Sequence, residues 1–586
     1  MENKEQLDRI RHSCAHLLAA AVLDLYPGAH NAIGPAIENG FYQDFDLGDK
    51  KITEEDLPRI EEKMREILKT WDSFQINEVS VEQARKDFAH NPYKLELIEA
   101  FAKEGKSITE TKQGGFLDLC KGGHVHHPKN DSKHFRLLSL AGAYWKGDVH
   151  NKMLTRVYGT AFKTKQELDD YLRMVEETKK RDHKKLGREL ELFLFDETAP
   201  GMAYWLPNGL IVYNTLYDYA REQYKNFGYQ EVATPMINKK ELYETSGHWE
   251  HYRSDMFISP MSFLTNESDD PLQGSEVFGV KPMNCPNAMR IFAFKTRSYH
   301  TLPLRFAETS SLHRFELSGT LNGLFRIRQF RQDDAHIFIT QDQIEEEFSH
   351  TMKMVAKMYE PFDLSYRLRL GTRPEKFMGE TKDWEHAEKM LKNALDASGI
   401  EYVTAEGEGA FYGPKVDILM KDSLGREWQT GTIQLDFQQP KRFKLEYIEK
   451  DGSAKNPTVI HRAIYGSFER FLGILIEHYA GKFPLWLAPV QLALLPIADR
   501  HVEYAKKLYQ DFSKEGIRVT LQDSQSTLQA KIREATLQKV PYMGIIGDKE
   551  ITDEVISIRS REGEDLGKLS LSQFLQKLKE DIDKKA

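Results

Sequence analysis

The middle of the chain contains one cysteine and two histidines of the kinds that bind zinc. Cys285 lies in a proline-bounded turn, His336 begins a strand-like segment, and His461 precedes an apolar helical segment. A thiolate and two imidazoles are zinc ligands, and a site with three protein ligands keeps one coordination position open for a substrate. Their spacing along the chain does not show that they meet. The alternative is a buried thiol, a strand-end histidine and a helix-start histidine with no shared role.

A second group of histidines and cysteines lies near the N-terminus. His12 and His16 are four residues apart and therefore share one face of a predicted helix. Cys120 and His124 have the same spacing further along the chain. Three interpretations stay open: a tetrahedral zinc site, a metal-free pocket in which histidines position water for hydrolysis, and histidines without a common role. The residues alone do not separate the zinc site from the water pocket.

Three arginines suggest an anion site. Arg314, Arg326 and Arg470 stand in otherwise apolar or sheet-like segments. Arginines in such positions usually neutralise an anion, and a triphosphate needs several of them. Structural salt bridges are the alternative for each one.

The elements that must position these residues differ along the chain. Residues 6–25 and 53–70 are predicted amphipathic helices, the second with Thr53 as its N-cap. From about 195 to 487, short alternating segments rich in aromatics and arginine predict an antiparallel sheet with helices packed on one side.

The last section has a different pattern. Residues 491–496, 517–520 and 542–546 are predicted strands, and residues 500–515 are a predicted helix. This alternation predicts a small, largely separate α/β domain.

Residues 164–190 form a highly charged helical pattern that includes the basic run 179–185. One interpretation is a solvated linker helix. The other, compatible with it, is a basic surface that faces RNA phosphates.

Composition limits the class of protein. The chain has 586 residues, of which 40% are hydrophobic and 29% charged, and this is typical of several globular domains. Its polar N-terminus and the absence of any apolar run of about 20 residues predict a cytoplasmic protein without a membrane segment. The net charge of −9 disfavours a generally basic nucleic-acid binder but allows local basic patches. Three cysteines in so long a chain disfavour a disulfide framework.

Several separated strings match one known family. The segment from Tyr204 to Arg470 resembles the catalytic core of class II aminoacyl-tRNA synthetases, and the whole chain resembles the bacterial threonyl-tRNA synthetase family. The most specific matching strings are residues 10–16 (IRHSCAH), 141–145 (AGAYW), 332–336 (QDDAH), 408–415 (EGAFYGPK) and 431–437 (GTIQLDF).

The resemblance implies an α+β multidomain fold. Its parts would be an N-terminal α+β editing domain (1–163), a helical linker (164–194), a class II catalytic domain built on an antiparallel sheet of six or seven strands (195–487), and an α/β anticodon-binding domain (488–586). The motif that ends at Pro235 implies a homodimer. The match begins directly at the editing domain, so we expect the small ubiquitin-like domain that usually precedes it in bacteria to be absent.

The implied activity is the ATP-dependent attachment of threonine to tRNA(Thr). By resemblance, Arg314 clamps the α-phosphate of ATP, Glu316 reads the adenine amino group, and Arg326 and Arg470 hold the β- and γ-phosphates. Mg²⁺ accompanies the ATP.

The resemblance also implies how the amino acid is selected. Cys285, His336 and His461 correspond to the family's zinc ligands, and threonine binds that ion through its amino and hydroxyl groups. Valine lacks the hydroxyl and is rejected. The residues that match positions contacting threonine or lying nearby are Asp334, Tyr412, Gln434, Gln332, Lys415 and Gln429.

Serine has both chelating groups and lacks only a methyl group, a difference worth roughly 10–200-fold in discrimination. A second site is therefore expected, and the N-terminal section resembles the family's domain for hydrolysing seryl-tRNA. This favours the water pocket over zinc for that cluster. The matching residues are His12, His16, Cys120, His124, Asp118 and Lys94. In the C-terminal domain, Glu550 and Arg559 match positions that read the anticodon.

The chain departs from the family pattern around the predicted pocket. Asn287-Ala288 follows Cys285-Pro286 where glycine and histidine are usual, and Thr309-Ser310 replaces phenylalanine and glycine. Phe315 and Asn322 replace an asparagine and a histidine. The two rival functions are a stand-alone seryl-tRNA hydrolase with a decayed synthetic core, and an RNA-binding or antibiotic-resistance paralogue. The intact predicted zinc ligands and arginines argue against both.

Overall fold

The computed structural model describes residues 2–148, 150–261 and 276–585. The chain forms two compact units, Met1–Glu177 and Thr178–Ala586, which are described separately below. In the described ranges, no helix is both long enough and apolar enough to cross a bilayer.

The first unit is built around an antiparallel sheet on which the first helix packs. The order of its strands is β1-β3-β8-β7, with β2 paired to β3, and a smaller sheet has the order β4-β5-β6. The strands are β1 (His30–Asn31), β2 (Ala36–Ile37), β3 (Gly40–Asp46), β4 (Gln75–Val79), β5 (Ile108–Gln113), β6 (Phe116–Leu119), β7 (His134–Tyr144) and β8 (Met153–Phe162). The helices are α1 (Glu2–Leu25), α2 (Leu57–Leu68), α3 (Val81–Asp87), α4 (Pro92–Lys103), α5 (Pro128–Asp131) and α6 (Lys165–Lys180), the last of which ends in the second unit.

The two helices predicted in this unit are present. The first begins four residues earlier than predicted, and its buried residues extend without a break from Ser13 to Val22. The second begins as a 3-10 turn, Glu54–Asp56, in which the Asp56 carboxylate accepts hydrogen bonds from the backbone and hydroxyl of Thr53. The α-helical part is shorter than predicted and ends at Leu68.

The second unit contains an eight-stranded sheet of order β11-β16-β19-β26-β23-β22-β20-β21. The six central strands are antiparallel, and one parallel strand lies at each edge. The prediction of an antiparallel core is confirmed, with the two parallel edge strands added. The eight strands are β11 (Gln230–Glu231), β16 (Leu304–Glu308), β19 (Asp334–Ile339), β20 (Ser365–Gly371), β21 (Tyr402–Ala405), β22 (Lys415–Lys421), β23 (Glu427–Asp436) and β26 (Thr458–Ala463).

Smaller sheets and hairpins surround this sheet. Their strands are β9 (Phe193–Phe195), β10 (Ala203–Trp205), β12 (Ile237–Lys239), β13 (Ile258–Met261), β14 (Glu276–Val280), β15 (Arg297–Ser298), β17 (Ser311–His313), β18 (Gln329–Arg331), β24 (Tyr447–Ile448) and β25 (Ala454–Lys455). The helices of this part are α7 (His183–Glu189), α8 (Pro207–Asn226), α9 (Lys240–Ser246), α10 (His248–His251), α11 (Cys285–Phe292), α12 (Ile344–Tyr359), α13 (Thr381–Ser398), α14 (Gln438–Arg442) and α15 (Phe468–His478).

The main core lies between the sheet and helices α8, α12, α13 and α15. Helix α15 is apolar on nearly all sides, and its residues from Phe471 to Glu477 are all buried. A helix with this pattern belongs inside a domain, so α15 places Arg470 at a fixed position.

The charged segment 164–190 forms two helices, α6 and α7, because Asp182 caps a new helix start by accepting from the backbone N–H groups of Lys184 and Lys185. The second of these is not a solvated helix. His183, Leu186 and Gly187 are buried, and this i, i+3, i+4 spacing forms a narrow inward stripe.

The C-terminal part forms a five-stranded sheet of order β28-β27-β29-β30-β31 with helices α16–α19. The predicted strands and helix are all present, and the parallel pairing of β27 with β28 and β29 agrees with the predicted α/β alternation. The elements are β27 (Leu492–Pro496), α16 (Val502–Lys514), β28 (Val519–Leu521), α17 (Leu528–Leu537), β29 (Tyr542–Ile546), α18 (Asp548–Thr552), β30 (Val555–Ser560), β31 (Asp565–Ser570) and α19 (Leu571–Asp583).

Candidate active site

The three predicted metal ligands meet in the central sheet. His336 on β19 and His461 on β26 are direct partners in antiparallel register, so their side chains leave the same face. Cys285, the first residue of α11, lies over them. The Sγ atom and one nitrogen of each ring all lie within 4.8 Å of one another, and all three residues are buried.

One carboxylate fixes the orientation of the His461 ring. Asp436, at the end of β23, has Oδ2 2.9 Å from His461 Nε2, and its Oδ1 accepts from the backbone N–H groups of Gln438 and Gln439. Because a carboxylate accepts, Nε2 carries the hydrogen and Nδ1 presents its lone pair to the cluster.

The unpaired atoms of the cluster fit a metal ion. Of the buried side-chain atoms in the described ranges, His336 Nε2 and His461 Nδ1 are among those with no hydrogen-bond partner. Burial raises the pKa of the Cys285 thiol well above its ordinary value, with the nearby carboxylates of Asp334 and Asp436 adding to the rise. A bound cation would reverse that shift because it stabilises the thiolate. One thiolate and two imidazoles suit zinc.

A cavity of about 310 Å³ opens beside this cluster. Asp334 lines it, and Asn284 Nδ2 donates to Asp334 Oδ2 at 3.0 Å. Burial raises the pKa of Asp334 to about 6. Tyr412 and Gln434 also line the cavity, and the Tyr412 hydroxyl donates to Gln434 Oε1. The other predicted residues in the lining are Cys285, Arg314, Gln332 and His461.

A buried polar network stands behind Asn284. The Ser310 hydroxyl lies 3.0 Å from Asn284 Oδ1 and 2.7 Å from Glu308 Oε1. Lys281 Nζ, which is fully buried, lies 2.7 Å from Glu308 Oε1 and 2.6 Å from Ser310 Oγ. The network therefore joins a buried ion pair to Asn284, and so to the carboxylate of the cavity wall, through Ser310.

A second cavity of about 270 Å³ contains the predicted arginines. Arg314, Arg326 and Arg470 line it together with Glu316, and the Glu316 carboxylate pairs with Arg326 Nε at 2.8 Å. Burial, followed by the charges of Arg326 and Arg314, lowers the pKa of Arg470. Positive groups that crowd one cavity favour an anionic ligand.

The two cavities share Arg314 and Gln332, so they form adjoining parts of one cleft. Gln429 lines the arginine cavity and also donates to Asp417 Oδ1 at 2.8 Å. Among the residues predicted to contact or surround threonine, Lys415 is absent from both described linings, and its Nζ lies 3.1 Å from Asp417 Oδ2.

The first unit brings its predicted residues together as well. His12, His16, Cys120 and His124 have ligand atoms that all lie within 4.8 Å of one another. Cys120 Sγ lies 3.4 Å from His12 Nε2 and 3.4 Å from His124 Nε2. This set suits both a tetrahedral metal ion and a pocket that orders water.

The walls of this cluster carry a buried ion pair. Lys94 Nζ lies 2.5 Å from Asp118 Oδ1, and His16 Nδ1 lies 3.3 Å from Asp118 Oδ2. Burial lowers the pKa of all three histidines, that of His124 to about 2, so the rings are neutral at pH 7. A cavity of about 490 Å³ is lined by five of the six predicted residues, and His124 is not part of its lining.

Comparison with known proteins identifies the family to which this chain belongs. Residues 268–479 match the tRNA synthetase class II core domain of types G, H, P, S and T, and residues 491–581 match the anticodon binding domain. A threonine–tRNA ligase of Thermotoga neapolitana is 48% identical over 587 residues, covering 99% of this chain and 89% of that protein. The chain belongs to the threonine–tRNA ligase family. The same enzyme of Clostridium tetani is 48% identical over 585 residues, with the same coverage.

A solved structure agrees with this assignment. The RNA binding domain of threonyl-tRNA synthetase from Cryptosporidium parvum Iowa II superimposes with a TM-score of 0.64 at 41% identity, covering 68% of this chain and 98% of that one.

Two of the residues that depart from the threonine–tRNA ligase pattern make side-chain hydrogen bonds in the structure. Ser310 is the bridge in the network behind Asn284. Asn287 is buried beside Cys285, and its Nδ2 donates to Asn238 Oδ1 at 3.1 Å. Neither contact changes the set of predicted metal ligands.

The two residues predicted to read the anticodon differ in their exposure to solvent. Arg559 is exposed on β30. Glu550 is buried, and its Oε2 accepts from the backbone of Gly547 at 3.0 Å while its Oε1 accepts from Ser557 at 2.9 Å. Lys568 lies 3.3 Å from the same Oε1 atom. Glu550 therefore already has partners within the domain.

Sequence reasoning missed two residues of the threonine–tRNA ligase site. Asp436 orients the ring of His461, a predicted metal ligand, and Asn284 orients Asp334. Asp436 lies within the matching string 431–437, at the end of β23, and Asn284 immediately precedes Cys285. Both could have been found as polar residues at a buried strand end or helix start, because a buried polar residue needs a hydrogen-bond partner inside the protein.

Proposed function

We propose that this threonine–tRNA ligase selects its amino acid at the Cys285–His336–His461 cluster and hydrolyses seryl-tRNA(Thr) at the N-terminal cluster. The observation that carries the first part is the pair of buried, unpaired ring nitrogens that face a buried thiol. Residues 195–487 would be the catalytic domain, and residues 1–163 the editing domain, with the linker at 164–194 and the anticodon-binding domain at 488–586. As tRNA charging serves translation, we place the enzyme in the cytoplasm.

In the cavity beside the cluster, Asp334, Tyr412 and Gln434 are proposed to hold threonine, with Gln332, Lys415 and Gln429 supporting them. When zinc is bound, it supplies a Lewis acid for the amino and hydroxyl groups of threonine. The acidic group of the cavity wall is Asp334, whose carboxylate is held by the side-chain amide of Asn284.

The arginine cavity is proposed to hold ATP with its Mg²⁺. The threonine carboxylate attacks the α-phosphorus, the bond to the β-phosphate breaks, and pyrophosphate leaves. Arg314 neutralises charge at the α-phosphate, while Arg326 and Arg470 hold the leaving phosphates and Glu316 reads the adenine amino group. A ribose hydroxyl of tRNA(Thr) then attacks the activated carbonyl, and AMP leaves.

The N-terminal cluster is proposed to remove serine, which the first site rejects by only about 10–200-fold. Water attacks the ester carbonyl of seryl-tRNA(Thr), the bond to the ribose oxygen breaks, and serine is released. Each of the neutral rings of His12, His16 and His124 has one acceptor nitrogen that can orient this water, and the proton of the water ends on the released ribose oxygen. Cys120 and the Lys94–Asp118 pair complete the wall.

Two further assignments concern partners. Arg559 is proposed to contact the anticodon, with Glu550 supporting that face of the domain. We also propose a homodimer, because Met236 and Ile237, which follow Pro235, are exposed apolar residues. Sedimentation at the mass of two chains would support the dimer, and a monomer at micromolar concentration would contradict it.

Threonine-dependent ATP–pyrophosphate exchange, paired with metal analysis, tests the proposed selection. The purified enzyme should contain about one zinc per chain, and a chelator should remove both the zinc and the exchange activity. Full exchange activity after complete removal of zinc would overturn the proposed role of the cluster.

A further inference from the structure

A buried histidine outside the three described cavities contacts the turn that leads into Arg326. His183, the first residue of α7, is 1% exposed. Its backbone nitrogen and its ring Nδ1 lie 3.1 and 2.7 Å from Glu477 Oε1. Its other ring nitrogen, Nε2, lies 3.0 Å from the backbone nitrogen of Leu324.

These partners fix the tautomer of the His183 ring. The Glu477 carboxylate accepts hydrogen bonds, and its other oxygen pairs with Arg426 at 2.6 Å. The backbone N–H of Leu324 can only donate. Nδ1 therefore carries the hydrogen and Nε2 accepts, so a neutral ring joins α15 to the Gly323–Phe325 turn.

The turn is shaped around this ring. Gly323 has a φ of +50°, and a Cβ atom there would lie 2.2 Å from His183 Nε2, so only glycine fits. The ring of Phe325 packs against the His183 ring with centroids 4.1 Å apart. The contact is therefore specific to this turn.

The Gly323–Phe325 turn in turn positions two of the residues that line the arginine cavity. The carbonyl oxygen of Phe325 accepts from Arg470 Nε at 2.9 Å. Arg326 follows directly, and its Nε bonds Glu316 at 2.8 Å. A displacement of the turn would move both arginines.

Electrostatic repulsion opposes the close placement of the three arginines. Arg314, Arg326 and Arg470 line one cavity, and their like charges oppose one another until an anion arrives. Donors that are already in place avoid reorganisation when the ligand binds.

We propose that His183 is a positioning residue that holds the Gly323–Phe325 turn so that Arg326 and Arg470 are set to receive the triphosphate of ATP. This role rests on the proposed ATP site. It also gives the buried face of the charged α7 helix a function in the synthetic reaction.

Two substitutions separate the two ring contacts. The amide of His183→Asn reaches the position of Nδ1, so it keeps a donor for Glu477 and loses the acceptor for Leu324. The longer His183→Gln can place its amide oxygen near the position of Nε2 and keep the acceptor. We expect the Kd for ATP, measured by calorimetry, and the KM for ATP in the exchange assay to rise about tenfold in H183N and clearly less in H183Q. The KM for threonine should stay unchanged in both.

Lys185→Ala, on the exposed face of the same helix, is the matched control and should bind ATP as the wild type does. Wild-type ATP binding in H183N would overturn the positioning role. So would an equal loss of ATP and threonine binding in both variants alongside a lower Tm, because that pattern indicates general destabilisation. If the wild type lacks threonine-dependent exchange while H183N still weakens ATP binding about tenfold, the proposed function fails and the positioning role stands.

Discussion

Two ring nitrogen atoms make the central cluster suitable for binding a metal ion. Within the described ranges, His336 Nε2 and His461 Nδ1 are buried without a hydrogen-bond partner. An unpaired buried polar atom costs about 1–3 kcal/mol, and a bound metal removes that cost. Burial also lowers the pKa of His336 well below its ordinary value, which keeps the ring neutral and able to bind a metal.

Cys285→Ser replaces the only sulfur ligand of the proposed cluster with a hydroxyl, which is a poor zinc ligand. We expect the bound zinc to fall well below one per chain and threonine-dependent exchange to fall at least about a hundredfold, since a ligand is lost. Metal analysis and the exchange assay measure both. A variant that keeps its zinc and its full activity would refute this ligand.

Asn284 holds the Asp334 carboxylate in the cavity that we propose binds threonine. Asn284→Ala removes the donor to Asp334, and we expect kcat/KM for threonine to fall about tenfold while the KM for ATP is unchanged. Ser310→Ala is the matched variant, because it cuts the network behind Asn284 and leaves the bond to Asp334. An equal or larger loss in S310A than in N284A would show that the network, and not the direct bond, controls the carboxylate.

At the scale of elements, helix α1 and strands β19 and β26 bring two pairs of histidines together by different rules. His12 and His16 share a helix face because they are four residues apart. His336 and His461 meet because antiparallel register makes them direct neighbours. The first pairing can be read from spacing, whereas the second depends on which strands pair.

Removal of both imidazoles from α1 tests the hydrolytic role that we propose for the first unit. His12→Ala/His16→Ala should leave threonine charging intact and let seryl-tRNA(Thr) accumulate, because the side chains that orient water are gone. Charging assays with serine and threonine in parallel measure the two effects. No rise in seryl-tRNA(Thr) would contradict the proposed editing role of this helix.

At the scale of the whole molecule, the proposed clusters lie in separate compact units. Each unit has its own buried apolar cluster, so damage to one site need not unfold the other. The two proposed reactions should therefore be separable by mutation in the full chain.

Preformed seryl-tRNA(Thr) gives a direct test of that separation. Cys285→Ser should hydrolyse it at the wild-type rate although it no longer activates threonine, and His12→Ala/His16→Ala should show the opposite pattern. Loss of hydrolysis in C285S, with the protein still folded by circular dichroism, would show that the two sites are coupled.

The sequence by itself determined the features that depend only on residues close together in the chain. Hydrophobic periodicity and turn residues predicted α1, α2 and the alternation of the C-terminal domain, and spacing placed His12 beside His16. The buried stripe of α7 was also present as the i, i+3, i+4 spacing of His183, Leu186 and Gly187, although the surrounding charges favoured a solvated helix.

Only the tertiary structure decided the rest. Strand pairing brought His336 beside His461, and Asp436 then selected the ring nitrogen that is free to bind a metal. The contact of His183 with the Gly323–Phe325 turn likewise joins distant segments. Spacing reports only neighbours within one element, whereas pairing register and the partners of buried polar atoms are set by how the whole core excludes water.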